Sequence, residues 1–232
     1  MLAGLALAAA SAVTASLPLP PLDVVPVRAP AHVRAAKPRP HRQKVDIRAV
    51  QLRLIALHYD PGPADGVYSG FTQDAVWAFE EVNGLPPTGK PDDRLVHALA
   101  HPKAPRRLTH DSSRAHVDVD IRHQILVVYK DGKVALISHV STGSGQHYCK
   151  DGRCGFARTP RGDFRVTRRF PGWHRSRLGY MYRPLYFYSG FAIHGSLDVP
   201  REPASHGCVR IPMHTADLVP GLVRNGEPVH IH

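Results

Sequence analysis

Cysteine is scarce in this chain, with three residues in 232. That is too few for a small fold stapled by disulfides, and the odd count leaves one thiol outside any pairing. Acidic residues are in the minority, 19 against 30 Lys and Arg, for a formal net charge of +11. No apolar run reaches the roughly 18 residues of a membrane-spanning helix. There is no zinc-finger spacing, no basic helix leading into heptads and no aromatic-interleaved RNA motif. His-Glu-x-x-His is also missing. A helical membrane protein, a coiled coil, a wholly disordered chain and a nucleic-acid module are therefore not expected.

What is present is 43% apolar residues, 16 histidines and 22 prolines. At roughly 150 residues per domain the length suits one or two domains. The basic residues are scattered, with short groups at Lys37–Arg42, Arg106–Arg107 and Arg168–Arg169. This pattern reads as a solvated surface suited to an anionic matrix.

Residues 1–22 carry no charged side chain, and Met1 to Leu17 is rich in Ala and Leu. Residues 1–15 resemble the apolar core of a secretory signal or anchor, with small-residue cleavage sites at Ala10-Ser11-Ala12 or Val13-Thr14-Ala15, although no Lys or Arg precedes the run. Residues 16–43 are proline-rich, which excludes regular helix or sheet and predicts a stiff spacer.

Residues 44–100 turn helical. Asp46 caps a helix with Ile47, Val50, Leu54 and Leu57 on one face, and Asp60-Pro61-Gly62 and Asp65-Gly66 supply turns. Thr72 is the expected cap of a second helix with Val76, Phe79 and Val82, which Gly84 and Pro86-Pro87 stop. Asp92 or Asp93 opens a third through Leu95, Val96 and Leu99. A small three-helix bundle is expected. This stretch resembles the peptidoglycan-binding repeat of wall enzymes through Val50-Gln51-Leu52, Leu57-His58-Tyr59, Asp65-Gly66-Val67-Tyr68, Thr72, Ala75-Val76, Phe79 and Gly84-Leu85. It departs from that pattern at His58 and Glu80. The resemblance implies docking on glycan strands; taken alone, the residues are also those of a plain helical core.

Residues 101–115 change composition and read as an interdomain linker. From residue 116 the period switches to that of strands: His116–Ile121 alternates, Gln124–Tyr129 follows as an apolar strand, and Lys133–Ser141, Asp163–Thr167, Leu185–Tyr188, Phe191–His194 and Val229–Ile231 are further strand-like stretches, with a hairpin turn at Asp131-Gly132 and one helix near His214–Val223. The fold class is α+β, with the helical bundle followed by a β-rich sandwich or barrel-like domain over residues 116–232.

The chemistry sits near the C-terminus. Cys208 lies in Ser205-His206-Gly207-Cys208-Val209-Arg210, fourteen positions after His194-Gly195. A thiol attacks a carbonyl as thiolate, and an imidazole can serve as base and later as acid. Gly207 allows close approach of a substrate backbone and lets neighbouring N–H groups point at an oxyanion. Spacing alone leaves open that Cys208 is a buried structural thiol.

Phe191-Ala192-Ile193-His194-Gly195 followed by Ala204-Ser205-His206-Gly207-Cys208-Val209-Arg210 resembles the signature of the L,D-transpeptidases. The resemblance extends over residues 116–232 and includes Ser141-Thr142-Gly143, Thr159-Pro160-Arg161-Gly162-Asp163-Phe164 and Gly226-Glu227-Pro228-Val229-His230-Ile231. It implies Cys208 as nucleophile, His194 as its base, the N–H groups of Gly207 and Cys208 as oxyanion donors and His206 as a residue shaping that hole. With Gly195 offering no side chain, a backbone carbonyl is the expected orienter of His194. Arg210, Ser205, Gly195 and Tyr182 are candidates for substrate contact, Tyr180 and Tyr188 for the cleft wall, and Arg210 could equally brace its loop. The implied partners are peptidoglycan stem peptides as donor and acceptor. No cofactor, metal or second protein is called for.

Cys149 and Cys154 flank Lys150-Asp151-Gly152-Arg153, a turn that can bring their sulfurs together. In an oxidising compartment they form a disulfide; the alternative is half a metal site with His147. Two rival functions stand beside the main one. A zinc peptidase could use His194 and Asp198 and would be stopped by a chelator. A non-catalytic wall-binding protein would be indifferent to Cys208→Ala.

Overall fold

The structure, a computed structural model, describes residues 45–109 and 113–232. The apolar N-terminal segment and the proline-rich spacer lie outside the described residues.

Helix α1 (Ile47–Ala56) begins where the Asp46 carboxylate accepts the Ala49 N–H at 3.1 Å. Helix α2 (Gly70–Asn83) is capped by Ser69, not Thr72. Thr72 is drawn inside the first turn, where its hydroxyl donates to Pro61 O and accepts from Gln51 Nε2, both at 3.1 Å. Gln51 is the reason: its buried amide also reaches Asp65 Oδ1 and Val67 O, while its Oε1 accepts the Gly66 N–H at 2.9 Å. One side chain thus pins the Asp65–Val67 turn against two helices. Gly84 ends α2 in the left-handed region, φ 70°. Asp92 caps α3 (Asp93–Ala100) through the Leu95 N–H.

The β region forms β1 (His116–Asp120), β2 (Ile125–Lys130), β3 (Lys133–His139), β4 (His147–Lys150), β5 (Arg153–Phe156), β6 (Gly162–Arg165), β7 (Arg168–Arg169), β8 (Trp173–Ser176), β9 (Gly179–Tyr188), β10 (Phe191–Ser196), β11 (Val209–Pro212), α4 (Met213–Leu222) and β12 (Pro228–Ile231). One sheet runs β3-β2-β1-β12-β6, the other β11-β10-β9-β7 with β8 also on β9; β4 and β5 make a separate hairpin. Val117, Val119, Leu126, Val128, Val229 and Ile231 of the first sheet meet Leu185, Phe187, Ile193, Val209 and Ile211 of the second, with Ala216 and Val219 of α4 completing the core. The expected β-rich sandwich is formed.

The helical bundle does not stand apart from this sandwich. Its core residues Val50, Leu54, Phe79, Leu95 and Leu99 pack in one cluster with Ile125, Val127, Tyr129 and Ile137 of β2 and β3. This is why β2 reads as the continuous apolar run Ile125-Leu126-Val127-Val128-Tyr129: both of its faces are buried, one against the sandwich core and one against the helices. Backbone joins the two as well, with the Ile137 N–H donating to His58 O at 2.8 Å. The Thr215 hydroxyl of α4 donates to Asp60 Oδ2 at 3.1 Å. The segment read as a linker is likewise fastened. Lys103 donates from its N–H to Asn83 Oδ1 and from Nζ to Asn83 O, Arg107 lies over the Tyr129 ring, and the Leu108 N–H donates to Asp118 Oδ2. A spacer with these contacts is a strap rather than a tether.

Candidate active site

Strand β10 carries Ile193 into the sandwich core and puts Ala192 and His194 on the opposite face. Strand β11 runs parallel to it, pairing Ile193 with Val209 and His194 with Arg210. Continued back one residue, that register sets Cys208 beside Ala192, two residues before His194 on the same face of β10, and Cys208 and His194 both line one cleft of about 570 Å³.

The loop before Cys208 is held from within. The Ser205 hydroxyl donates to Cys208 O at 2.6 Å and accepts the Gly207 N–H at 2.9 Å. Its backbone is clamped on both sides, Ser205 N–H to Thr142 O and Ser144 N–H to Ser205 O, each 2.9 Å. Gly143 makes that clamp possible, because a Cβ there would lie 2.3 Å from Ala157 O. Gly207 is equally constrained: it sits at φ 128°, and a Cβ would lie 2.6 Å from Phe191 Cε1 and 2.8 Å from Arg158 O. Ser141-Thr142-Gly143 and Thr159 thus brace the loop that carries Cys208. Their short polar side chains in a β context were the available signal, but nothing in the sequence said which loop they would meet.

His194 is 6% exposed, and its Nδ1 donates to the carbonyl of Gly195 at 2.9 Å. That bond requires the proton on Nδ1 and leaves Nε2 with its lone pair. Burial, aided by the nearby Arg210 charge, pulls the imidazole down to about 4. Burial pushes the Cys208 thiol up, opposed in part by the Ala192 N–H and Arg210. Burial thus disfavours the charged form of both groups, which favours a thiol beside a neutral imidazole. His206 is exposed at the rim, edge-on to Tyr148 with ring centroids 5.0 Å apart. Burial, Arg210 and Lys150 together lower its pKa.

Several sequence expectations are corrected here. The Gly207 N–H is already spent on Ser205 Oγ, so it is not a free oxyanion donor. Ser205 lines the cleft, but its hydroxyl is consumed inside the loop. Gly195 faces away from the cleft: a Cβ would strike Ala216 Cβ at 2.8 Å and Tyr182 Cδ1 at 3.0 Å. Tyr182 packs on the core side, its hydroxyl donating to Asp217 Oδ1 at 2.8 Å. The cause is a break in the β9 alternation, where Arg183 takes φ 48° and the pairing with β10 shifts register. Met181 and Tyr186, of opposite parity, then both pack with Ala192 and Cys208. Tyr180 does line the cleft, while Tyr188 stacks with Phe191 outside it.

Arg210 lines the cleft and reaches Asp198 Oδ2 at 3.1 Å. Asp198 and His194, the pair considered as metal ligands, thereby have separate partners. Sequence reading missed Tyr148, Arg177 and Met181 as cleft residues. Tyr148 comes from the β4–β5 hairpin, where Cys149 and Cys154 face each other and are joined in a disulfide. His147 and the two sulfurs lie within 4.8 Å of one another, but the sulfurs are bonded to each other rather than present as thiolates.

Two packed sheets place a cysteine and a histidine in one cleft, Cys208 just before β11 and His194 on the parallel strand β10. The family model for the L,D-transpeptidase catalytic domain matches residues 114–231, and that for a peptidoglycan binding domain matches residues 43–99. The chain belongs to the L,D-transpeptidase family. An L,D-transpeptidase from Xylanimonas cellulosilytica, solved as residues 123–326 of its own chain, is similar at 38% identity and TM-score 0.76, over 82% of this chain and 95% of that one. L,D-transpeptidases from Stackebrandtia nassauensis (22% identity, TM-score 0.48, 80% of this chain and 89% of that one) and Enterococcus faecium (24%, 0.41, 52% and 50%) also align. No curated protein matches significantly. The chain is thus an L,D-transpeptidase joined to a peptidoglycan-binding domain. Among the described residues no helix is long and apolar enough to cross a membrane.

Proposed function

We propose that this enzyme crosslinks peptidoglycan stems through a thioester on Cys208. The Cys208 thiol attacks the carbonyl joining the third residue of a stem to its terminal D-alanine, and His194 Nε2 takes the thiol proton as the C–S bond forms. The same proton passes to the departing D-alanine amine. The amine of a second stem then attacks the thioester, restoring the thiol and leaving a link between third residues. The energy of the broken peptide bond is held in the thioester, so the scheme needs no cofactor.

The observation that carries this reading is the Nδ1–Gly195 carbonyl bond, which leaves Nε2 free to accept a proton in the cleft that Cys208 also lines. With both groups neutral at rest, proton transfer accompanies attack rather than preceding it. Of the two amides considered for the oxyanion, that of Cys208 is the donor retained in this scheme, with His206 at the rim. Residues 44–100 hold the enzyme on glycan strands. The site of action is the cell wall, reached by secretion through an N-terminal signal. Water in place of the amine would give carboxypeptidation, and an amine on a protein would give wall attachment, by the same acyl-enzyme.

The test is the intact mass of the protein after mixing with a disaccharide–tetrapeptide. The expected result is a thioester adduct with one D-alanine lost, absent in Cys208→Ala. With the thiol shown to be reduced, no adduct and no free D-alanine would reject the scheme. Decay of the adduct with and without an amine acceptor separates crosslinking from hydrolysis.

A further inference from the structure

The cleft around Cys208 is electrostatically one-sided. Among the described residues that line it there are two guanidinium groups, Arg177 and Arg210, and no carboxylate. The two arginines are not equivalent. Arg210 has a carboxylate partner in Asp198, at 3.1 Å. Among the described residues Arg177 has none; its guanidinium is held instead by a neutral acceptor, with Nη1 donating to Lys150 O at 2.8 Å.

That hydrogen bond ties two hairpins together over the cleft. Arg177 sits in the turn from β8 to β9, which is closed by the Ser176 hydroxyl donating to Gly179 O at 2.8 Å. Lys150 ends β4, next to the Cys149–Cys154 disulfide. The guanidinium is thus tethered by one hydrogen bond at an exposed turn, and most of its N–H donors remain unspent. A planar cation with free donors and no internal counter-ion is built to take a carboxylate, bidentately.

We propose that Arg177 is a specificity-determining residue that reads a free carboxylate on the side chain of the donor stem. The inference rests on the transpeptidase reading above and narrows its substrate to stems whose side-chain carboxyl is ionised rather than amidated. Arg210 stands opposite His194 in the β10–β11 pairing, close to where the scissile bond must lie. Arg177 lines the same cleft from the turn between β8 and β9, and in this proposal it meets the stem away from that bond. Its contribution falls on substrate capture, and so on KM more than on kcat.

The experiment uses the full chain and two tetrapeptide stems that differ only in the third residue, one with a free side-chain carboxyl and one with its carboxamide. D-alanine release is followed for the native protein and for Arg177→Gln, which removes the charge but keeps an N–H for Lys150 O. The native enzyme is expected to favour the free acid about tenfold in kcat/KM. In Arg177→Gln the KM for the free acid should rise about tenfold, that for the amide should change far less, and the preference should vanish. The native preference should also shrink as salt rises, because the contact is at an exposed turn. Equal turnover of both stems by the native protein, or equal losses on both stems in Arg177→Gln, overturns the assignment while leaving the transpeptidase reading intact. Release of no D-alanine from either stem overturns both.

Discussion

The imidazole of His194 is oriented by its own chain neighbour, Nδ1 donating to the Gly195 carbonyl at 2.9 Å. The arrangement depends on Gly195 having no side chain, because a Cβ would lie 2.8 Å from Ala216 Cβ. Gly195→Ala should therefore overpack the β10–α4 contact, costing about 1–3 kcal/mol, and should lower acylation further by turning the carbonyl away from Nδ1. Thermal unfolding and D-alanine release measured on the same sample check both parts. Unchanged acylation in a destabilised variant would show that the carbonyl does not set the imidazole.

The neutral resting pair predicts an unusual pH profile. With His194 at about 4 and the Cys208 thiol raised, acylation should be level from about pH 5 through neutrality, with no limb near the ordinary imidazole value of about 6.5. Alkylation by iodoacetamide, which needs free thiolate, should be slow at pH 7 and still rising above pH 9. A limb at 6.5 in the acylation profile would contradict the burial argument.

Ser205 is expected to matter although its hydroxyl is not free for substrate. Removing it breaks the bonds to Cys208 O and the Gly207 N–H, leaving two buried groups without that partner at about 1–3 kcal/mol each. Ser205→Ala should lower both the unfolding midpoint and the acylation rate. Ser205→Thr, which keeps the hydroxyl, should recover part of each.

The shared core predicts that the catalytic sandwich is not independent of the helices. Deleting residues 45–100 would bare Ile125, Val127, Tyr129 and Ile137. At about 2 kcal/mol for each buried apolar side chain, the loss is on the order of 8 kcal/mol, comparable with the whole stability of a domain. The truncated protein should be insoluble or unfolded by circular dichroism, whether or not substrate is present.

His139 gives a pH dependence of stability with a definite sign. It is buried against Trp77, its Nε2 donating to Pro200 O, and burial lowers it to about 4. The unfolded chain takes up that proton near pH 6.5 and the folded one does not, so stability falls between pH 6.5 and 4, by about 1.4 kcal/mol per pH unit for each such group. His194 acts in the same direction, and Asp74, raised by burial to about 7, in the opposite one. His139→Gln should flatten the slope by one proton relative to the native protein in urea titrations. An unchanged slope would mean His139 titrates normally.

Much of the architecture was legible because it depends on local chemistry. Asp46 and Asp92 cap helices, Gly84 ends one in the left-handed region, and Asp131-Gly132 turns β2 into β3 with φ 52° and 77°. A short side-chain acceptor or a missing Cβ acts within four residues, so the sequence carries the information directly. That Cys208 and His194 share a site was legible by resemblance, and the run of apolar residues in β2 held the sign of two-sided burial, though not the identity of what covers it.

The tertiary structure decided what local pattern cannot. Thr72 was drawn into the Gln51 network and lost the cap to Ser69, because a buried amide needs partners more than a helix end exposed to water does. A single positive φ at Arg183 reversed the parity of β9 and sent Tyr182 to the core. The Gly207 amide was claimed by Ser205, and a disulfide hairpin remote in sequence came to line the cleft. Local pattern alone marked the three N-terminal helices, two of their three caps and the Cys208 and His194 that come to line one cleft. Which face each side chain met, and which donors were left for a substrate, were settled only by the packing of distant segments, where each contact is chosen against its neighbours.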